Sequence, residues 1–193
     1  MIEVRIHGRG GQGNVVAAYL LATAAIDEGW YAQAFPAFGA ERRGAPVIAF
    51  VRIDHEPIRR RCQVAAPDFL IIQDAALMNI PSITDGLKPD GNILLNATDN
   101  SSEASSAHTD TEADNRLVTL PATQLAQHYL GRPVPNTALL SAFLKLTDIL
   151  PQNSLIQSLE ERFKGDLLDK NIALVKAAAE RIPNNLWKQT ANA

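Results

Sequence analysis

The run Ile6-His7-Gly8-Arg9-Gly10-Gly11-Gln12-Gly13-Asn14-Val15-Val16 sets four glycines within six positions between an apolar strand and a helix. Ile2, Val4 and Ile6 alternate ahead of it, as the buried side of a strand should. Residues without a Cβ let backbone N–H groups approach an anion closely, and a helix starting near Gln12 adds unpaired donors and the positive end of its dipole. Phosphate binding by Gly8, Arg9, Gly10, Gly11, Gln12 and Gly13 is therefore the first expectation. The competing reading is that Gly10 and Gly13 only permit a tight turn and close packing of helix on sheet.

The spacing Gly8-x-Gly10-x-x-Gly13 satisfies the dinucleotide fingerprint. That fingerprint also needs an acid about 20 positions on, at the end of the second strand, to hold ribose hydroxyls. The second strand is expected over Tyr31–Phe35 and ends at Pro36 without a carboxylate; Asp27 and Glu28 precede it and Glu41 follows. No Gly-Lys-Ser/Thr closes the turn, so it is not a nucleotide-hydrolysing P-loop.

With 193 residues, 46% of them hydrophobic, the chain can bury one good core, and a single domain over 1–193 is expected. The formal charge of −3 argues against coating nucleic acid, yet residues 1–61 carry eight Arg and no Lys against six acids. Arginine is suited to bidentate contact with phosphate or carboxylate. No apolar run approaches the roughly 18–20 residues of a membrane span and no charged-then-apolar leader opens the sequence, so a cytoplasmic location is expected. Cys62 is the single cysteine, which excludes an internal disulfide and an iron–sulfur cluster built from this chain alone. The four histidines lack ligand spacing, and no metal site is expected.

Val15–Ile26 reads as a helix with Gly29 at its C-terminal cap. Val47–Ile53 is a second strong strand; Phe69–Ile72, Gly91–Leu95 and Leu117–Leu120 read as buried strands. Asp74 follows the Phe69–Ile72 strand, either capping Ala75–Leu77 or lining the same crevice as the glycine turn. The segment from Thr98 to Asn115 is a long polar connection with alanine as its only apolar residue. Helices are expected over Ala122–Tyr129, Thr137–Leu150, Gln152–Phe163 and Asp166–Arg181. Strands alternating with helices early, then helices alone, indicate a three-layer α/β domain with a mainly parallel or mixed sheet and a helical C-terminal part.

Two arginine groups stand out. Glu41, Arg42 and Arg43 lie between Gly39 and Gly44, with Phe35, Pro36, Phe38 and Pro46 as rigid apolar shoulders, which suggests a shaped loop. Arg59, Arg60 and Arg61 follow the turn at Asp54–Pro57. Consecutive residues alternate across a strand, so at most two of the three reach one ligand, either a phosphate or a partner's carboxylate.

Taken in order, His7-Gly-Arg-Gly-Gly-Gln-Gly13, Phe35-Pro-Ala-Phe-Gly-Ala-Glu-Arg-Arg-Gly-Ala-Pro-Val47, Val51-Arg-Ile53, Pro57-Ile-Arg59, Pro67-Asp68 and Asp74 resemble the gamma subunit of pyruvate (2-oxoacid):ferredoxin oxidoreductases. Pro135-Asn-Thr-Ala-Leu-Leu-Ser-Ala-Phe143, Glu160-Glu-Arg-Phe163 and Asn171 continue the resemblance over nearly the whole chain. The resemblance implies a Rossmann-like domain of an enzyme that converts a 2-oxoacid and coenzyme A to acyl-CoA, CO2 and reduced ferredoxin. It implies that thiamine diphosphate, Mg and [4Fe-4S] clusters sit on alpha, beta and delta-type partner subunits, with ferredoxin as acceptor, while this chain helps cover a shared coenzyme A site and is inactive alone. By the same carry-over the residues Gly8 to Gly13 form the anion-binding turn, and Arg42, Arg43 and Arg59 supply cationic contacts. The Glu-Arg-Arg-Gly-Ala-Pro form resembles that of pyruvate and branched-chain oxoacid members, which implies pyruvate as substrate. Two further classes remain open: a purely structural assembly subunit and a stand-alone dinucleotide-dependent oxidoreductase. An isolated chain with surfaces meant for partners is also expected to pair with itself.

Overall fold

The fold is α/β, built on a six-stranded mixed sheet in the order β2-β3-β1-β4-β5-β6. The computed structural model describes residues 1–37, 45–98 and 116–188. The strands are β1 (Ile2–Arg9), β2 (Tyr31–Pro36), β3 (Pro46–Asp54), β4 (Phe69–Ile72), β5 (Asn92–Asn96) and β6 (Leu117–Leu120). Strands β1, β4, β5 and β6 run parallel, whereas β3 runs antiparallel between β1 and β2.

Helix α1 (Asn14–Asp27) follows β1; α2 (Ala122–Leu130), α3 (Asn136–Thr147), α4 (Gln152–Arg162) and α5 (Asp166–Ala179) follow β6. Alternation along the strands sends Val4, Ile6, Val51, Ile53, Phe69, Ile71 and Leu94 to one face, where they join buried residues of all five helices in the main core. Phe69 is the hub of that core, edge-on to Phe143 and stacked on Trp187. Leu70, Ile72 and Leu95 point the other way and pack under two 3-10 turns, Ala75–Asn79 and Pro81–Thr84. The sheet is thus sandwiched between a thick helical layer and a thin layer of turns.

The expected elements form with adjusted ends. Helix α1 starts at Asn14 rather than near Gln12, because the Gln12 side chain turns back to accept from the Arg9 N–H at 2.6 Å. Its far end closes as expected: Gly29 has φ 83° and donates to Ile26, and Trp30 donates to Ala25. Helix α3 stops at Thr147, short of the expected Leu150, because Asp148 adopts φ 54°, with its carboxylate 2.7 Å from Lys188. The polar connection falls largely on residues 99–115, outside the described residues.

Insertion of β3 bears directly on the dinucleotide reading. The strand that follows α1 is two strand spacings, about 10 Å, from β1, so an acid at its end cannot reach a ribose seated at the glycine turn.

Candidate functional site

The glycine turn sits at the carboxyl end of β1, where ligands of open α/β sheets collect. Three of its amides are satisfied locally: Arg9 N–H by Gln12 Oε1, Gly10 N–H by Ala45 O at 3.0 Å and Gln12 N–H by Arg9 O at 3.1 Å. The donors that remain for a ligand come from the start of α1. Ala17 N–H bonds to Gly13 O, whereas Asn14, Val15 and Val16 have no acceptor within the helix.

Gly8 and Gly13 are also required by packing. A Cβ on Gly8 would fall inside contact distance of the Asn14 amide, and one on Gly13 would lie 2.5 Å from Asn136 Nδ2. Gly13 further holds φ 81° as the N-cap of α1, a conformation L side chains rarely adopt. The close approach is therefore of helix to helix: Asn136, first residue of α3, donates through Nδ2 to Gly13 O at 3.3 Å. Two helix N-termini consequently meet at Gly13. Neither has an acid in its first turn or a side-chain cap, so both leave partial positive charge at one place.

Two hollows open there. One, of about 260 Å³, is lined by Arg9, Gly10, Gly11, Gly13, Asn14 and Val47, among others; the second, of about 180 Å³, shares Gly13 and Val16 and continues to Asn136, Thr137, Arg132 and Arg162. Arg132 and Arg162 are exposed, and among the described residues neither has an acidic partner; Arg162 lies over the Phe163 ring at 6.0 Å. The Asn14 side chain donates to Val47 O at 2.7 Å and leaves its buried Oδ1 unpaired. At the carboxyl end of β4, beside Gly8, the Gln73 amide is fully buried with both polar atoms unpaired. The arrangement offers two helix ends and two guanidinium groups to an elongated anionic ligand.

Asp74 takes the expected capping role and, beside it, an ion pair to the glycine turn. Its Oδ1 accepts from Ala76 N–H at 3.0 Å as a cap, and its Oδ2 holds Arg9 Nε at 2.6 Å, which ties the glycine turn to β4. Arg42 and Arg43 lie outside the described residues, as does Glu41. The residue that follows their segment, Ala45, is the acceptor for Gly10. Arg59, Arg60 and Arg61 lie elsewhere, over the β2–β3 side of the sheet. Gln33 Nε2 donates to Ile58 O at 3.0 Å, and Arg60 stands 3.9 Å from Glu3.

The second face of β1 is buried although its sequence is polar. Glu3 pairs with Arg52 across the strands at 2.7 Å, with Arg52 only 1% exposed. Arg5 donates through Nε to His7 Nε2 at 2.8 Å and through Nη2 to the carbonyls of Ile83 and Asp85. Burial first, and the Arg5 charge second, push the His7 pKa down to about 3, so the ring is neutral with its proton on Nδ1.

Sequence reasoning missed Asn14, Asn136, Arg132, Arg162 and Gln73. The asparagines carried a signal, since each opens a helix next to a glycine or proline; Arg162 stood in the Glu160-Glu-Arg-Phe163 stretch of the resemblance with no site role attached to it, and Arg132 carried no signal.

The family model for pyruvate ferredoxin/flavodoxin oxidoreductase matches residues 3–181. The chain is 46% identical to pyruvate synthase subunit PorC of Methanothermobacter marburgensis over 96% of its own length and 99% of the relative's. It is 42% identical to the common gamma subunit of the pyruvate/ketoisovalerate oxidoreductases of Pyrococcus furiosus, covering 94% and 97% of the two chains. The crystal structure of pyruvate oxidoreductase subunit PORC from Thermotoga maritima superposes with a TM-score of 0.79 at 35% identity, over 93% of this chain and 95% of that one.

Proposed function

The chain belongs to the pyruvate ferredoxin/flavodoxin oxidoreductase family, and from that premise we propose that it is the gamma subunit of a cytoplasmic, multisubunit 2-oxoacid:ferredoxin oxidoreductase whose substrate is pyruvate. In this reading residues 1–193 form one domain that covers a coenzyme A site shared with the thiamine-bearing subunits. Thiamine diphosphate, Mg and the clusters belong to the alpha, beta and delta-type partners, and ferredoxin accepts the electrons. The isolated chain has no turnover. When bound, coenzyme A supplies the thiol that receives the acyl group.

The observation that carries the coenzyme A assignment is the meeting of two acid-free helix N-termini at Gly13, with adjoining hollows on either side. A diphosphate and a separate phosphate on one elongated molecule match such a site in charge and extent. Backbone N–H groups of Asn14, Val15 and Val16 at the start of α1 would hold it, with Arg42 and Arg43 adding cationic contacts. In the anaerobically purified complex, Arg42→Ala and Arg43→Ala are each expected to weaken coenzyme A binding about tenfold, or about 1.4 kcal/mol. Unchanged affinity with all subunits retained excludes a direct contact.

A structural assembly role is the second reading. It is favoured by the internal use of the Arg9, Gly10 and Gln12 amides and by the packing of Gly8 and Gly13 on asparagines. Hydrogen exchange over residues 8–14 separates the two: slowing on addition of coenzyme A to the complex supports the ligand site, and no change supports assembly alone.

A further inference from the structure

We propose that the free edge of β2 receives an extended acidic segment from another subunit of the assembly, which adds to the sheet as a further strand. Among the described residues, β2 is the terminal strand on its side of the sheet, bonded only to β3. The bond from Ala37 N–H to Ile48 O continues their ladder, so Tyr31, Gln33 and Phe35 exchange bonds with β3. Ala32 and Ala34 therefore turn their N–H and C=O groups outward. Free edges of this kind are normally blunted by Lys, by Pro, by an inward charge or by a bulge. Tyr31-Ala-Gln-Ala-Phe-Pro36 has only the proline, at its last position, which leaves the outward groups of Ala32 and Ala34 unblocked by it.

A groove of about 530 Å³ runs along this edge, lined by Ala32, Gln33, Ala34, Phe35 and Arg61. The outward backbone groups of Ala32 and Ala34 lie along this groove, the geometry of strand addition. Tyr31, the first residue of the strand, is 49% exposed.

Charge identifies the occupant. The connection from His55 to Gln63 carries three arginines against one acid, Glu56. Among the described residues Arg61 bonds only the carbonyls of Ile58 and Arg60, and Arg60 reaches Glu3 at no better than 3.9 Å. Arg59 has no acidic partner among the described residues. A carboxylate on the incoming strand meets this excess directly. A second copy of the chain does not fit as well: two-fold antiparallel pairing at β2 would bring both Arg61 side chains onto the same face of the joint ladder, where like charges repel.

The test uses the assembled enzyme, and its readouts do not depend on the coenzyme A assignment. Hydrogen exchange over residues 31–36 is expected to slow at least about tenfold on assembly relative to the isolated chain. The Arg61→Lys chain, treated in the complex with a zero-length carbodiimide, is expected to crosslink to an Asp or Glu of a different subunit. Ala34→Pro, which removes an outward N–H and no bond to β3, is expected to lower the affinity for partners about tenfold at unchanged thermal stability. Equal exchange in the two states overturns the proposal, as does a crosslink to a second copy of this chain.

Discussion

His7 stands on the side of β1 that alternation assigns to solvent, yet it is 3% exposed and neutral, accepting from Arg5. Its pKa of about 3 in the fold lies below the unfolded value near 6.5, so the unfolded chain binds a proton that the native chain does not. Stability from this group is therefore full above pH 6.5 and is lost as pH falls toward 3. Between pH 7.5 and pH 5 the loss is about 2 kcal/mol at a limiting slope of about 1.4 kcal/mol per unit. Denaturant titrations of the full chain at pH 7.5 and pH 5.0 measure it, and His7→Gln is expected to remove most of the difference. Nothing in the order of residues announces this behaviour, because it depends on Arg5 being folded under the carbonyls of Ile83 and Asp85. Gly13 was legible in kind, as a residue that must lack a Cβ. Its reason was only partly legible, since the neighbour that demands it, Asn136, is 123 positions away.

At the scale of elements, the strands were readable wherever apolar residues ran unbroken or alternated: Phe69–Ile72 and Leu117–Leu120 form as read. Strand order was not readable. The position of β3 between β1 and β2 is set by long-range pairing such as Glu3 opposite Arg52 and Val4 opposite Val51. That first pair carries a consequence for stability. Arg52 is buried, with Nε on Glu3, Nη2 on the Cys62 sulfur at 3.8 Å and Nη1 unpaired, so its charge depends on one carboxylate. Glu3→Leu leaves that charge buried alone and is expected to cost about 3–5 kcal/mol in urea unfolding. The double change Glu3→Leu with Arg52→Met removes both charges and is expected to recover most of the loss. A double change as unstable as the single would show that the strands depend on packing around these side chains rather than on the pair.

Over the whole molecule, the candidate site is assembled from segments more than a hundred residues apart: the turn at Gly8–Gly13, Arg132 after α2, Asn136 at the start of α3 and Arg162 at the end of α4. Sequence motifs marked the first of these because its four glycines fall within six positions of the chain. The arginines became visible only when the C-terminal helices folded back onto α1. Their position beside two helix ends, without an acidic partner among the described residues, gives them a role that can be separated from the turn. If the second hollow holds a phosphate of coenzyme A, charge reversal there should act on binding and leave the chemistry at the partner subunits alone. In the assembled oxidoreductase Arg132→Glu and Arg162→Glu are each expected to raise KM for coenzyme A at least about tenfold, with kcat and KM for the 2-oxoacid changed less than about twofold. Both side chains are exposed, so the fold should tolerate the changes, with thermal melting as the check. A fall in kcat at constant KM would assign the arginines to subunit contact instead, because a loosened seam misplaces the reacting groups without weakening the hold on the anion.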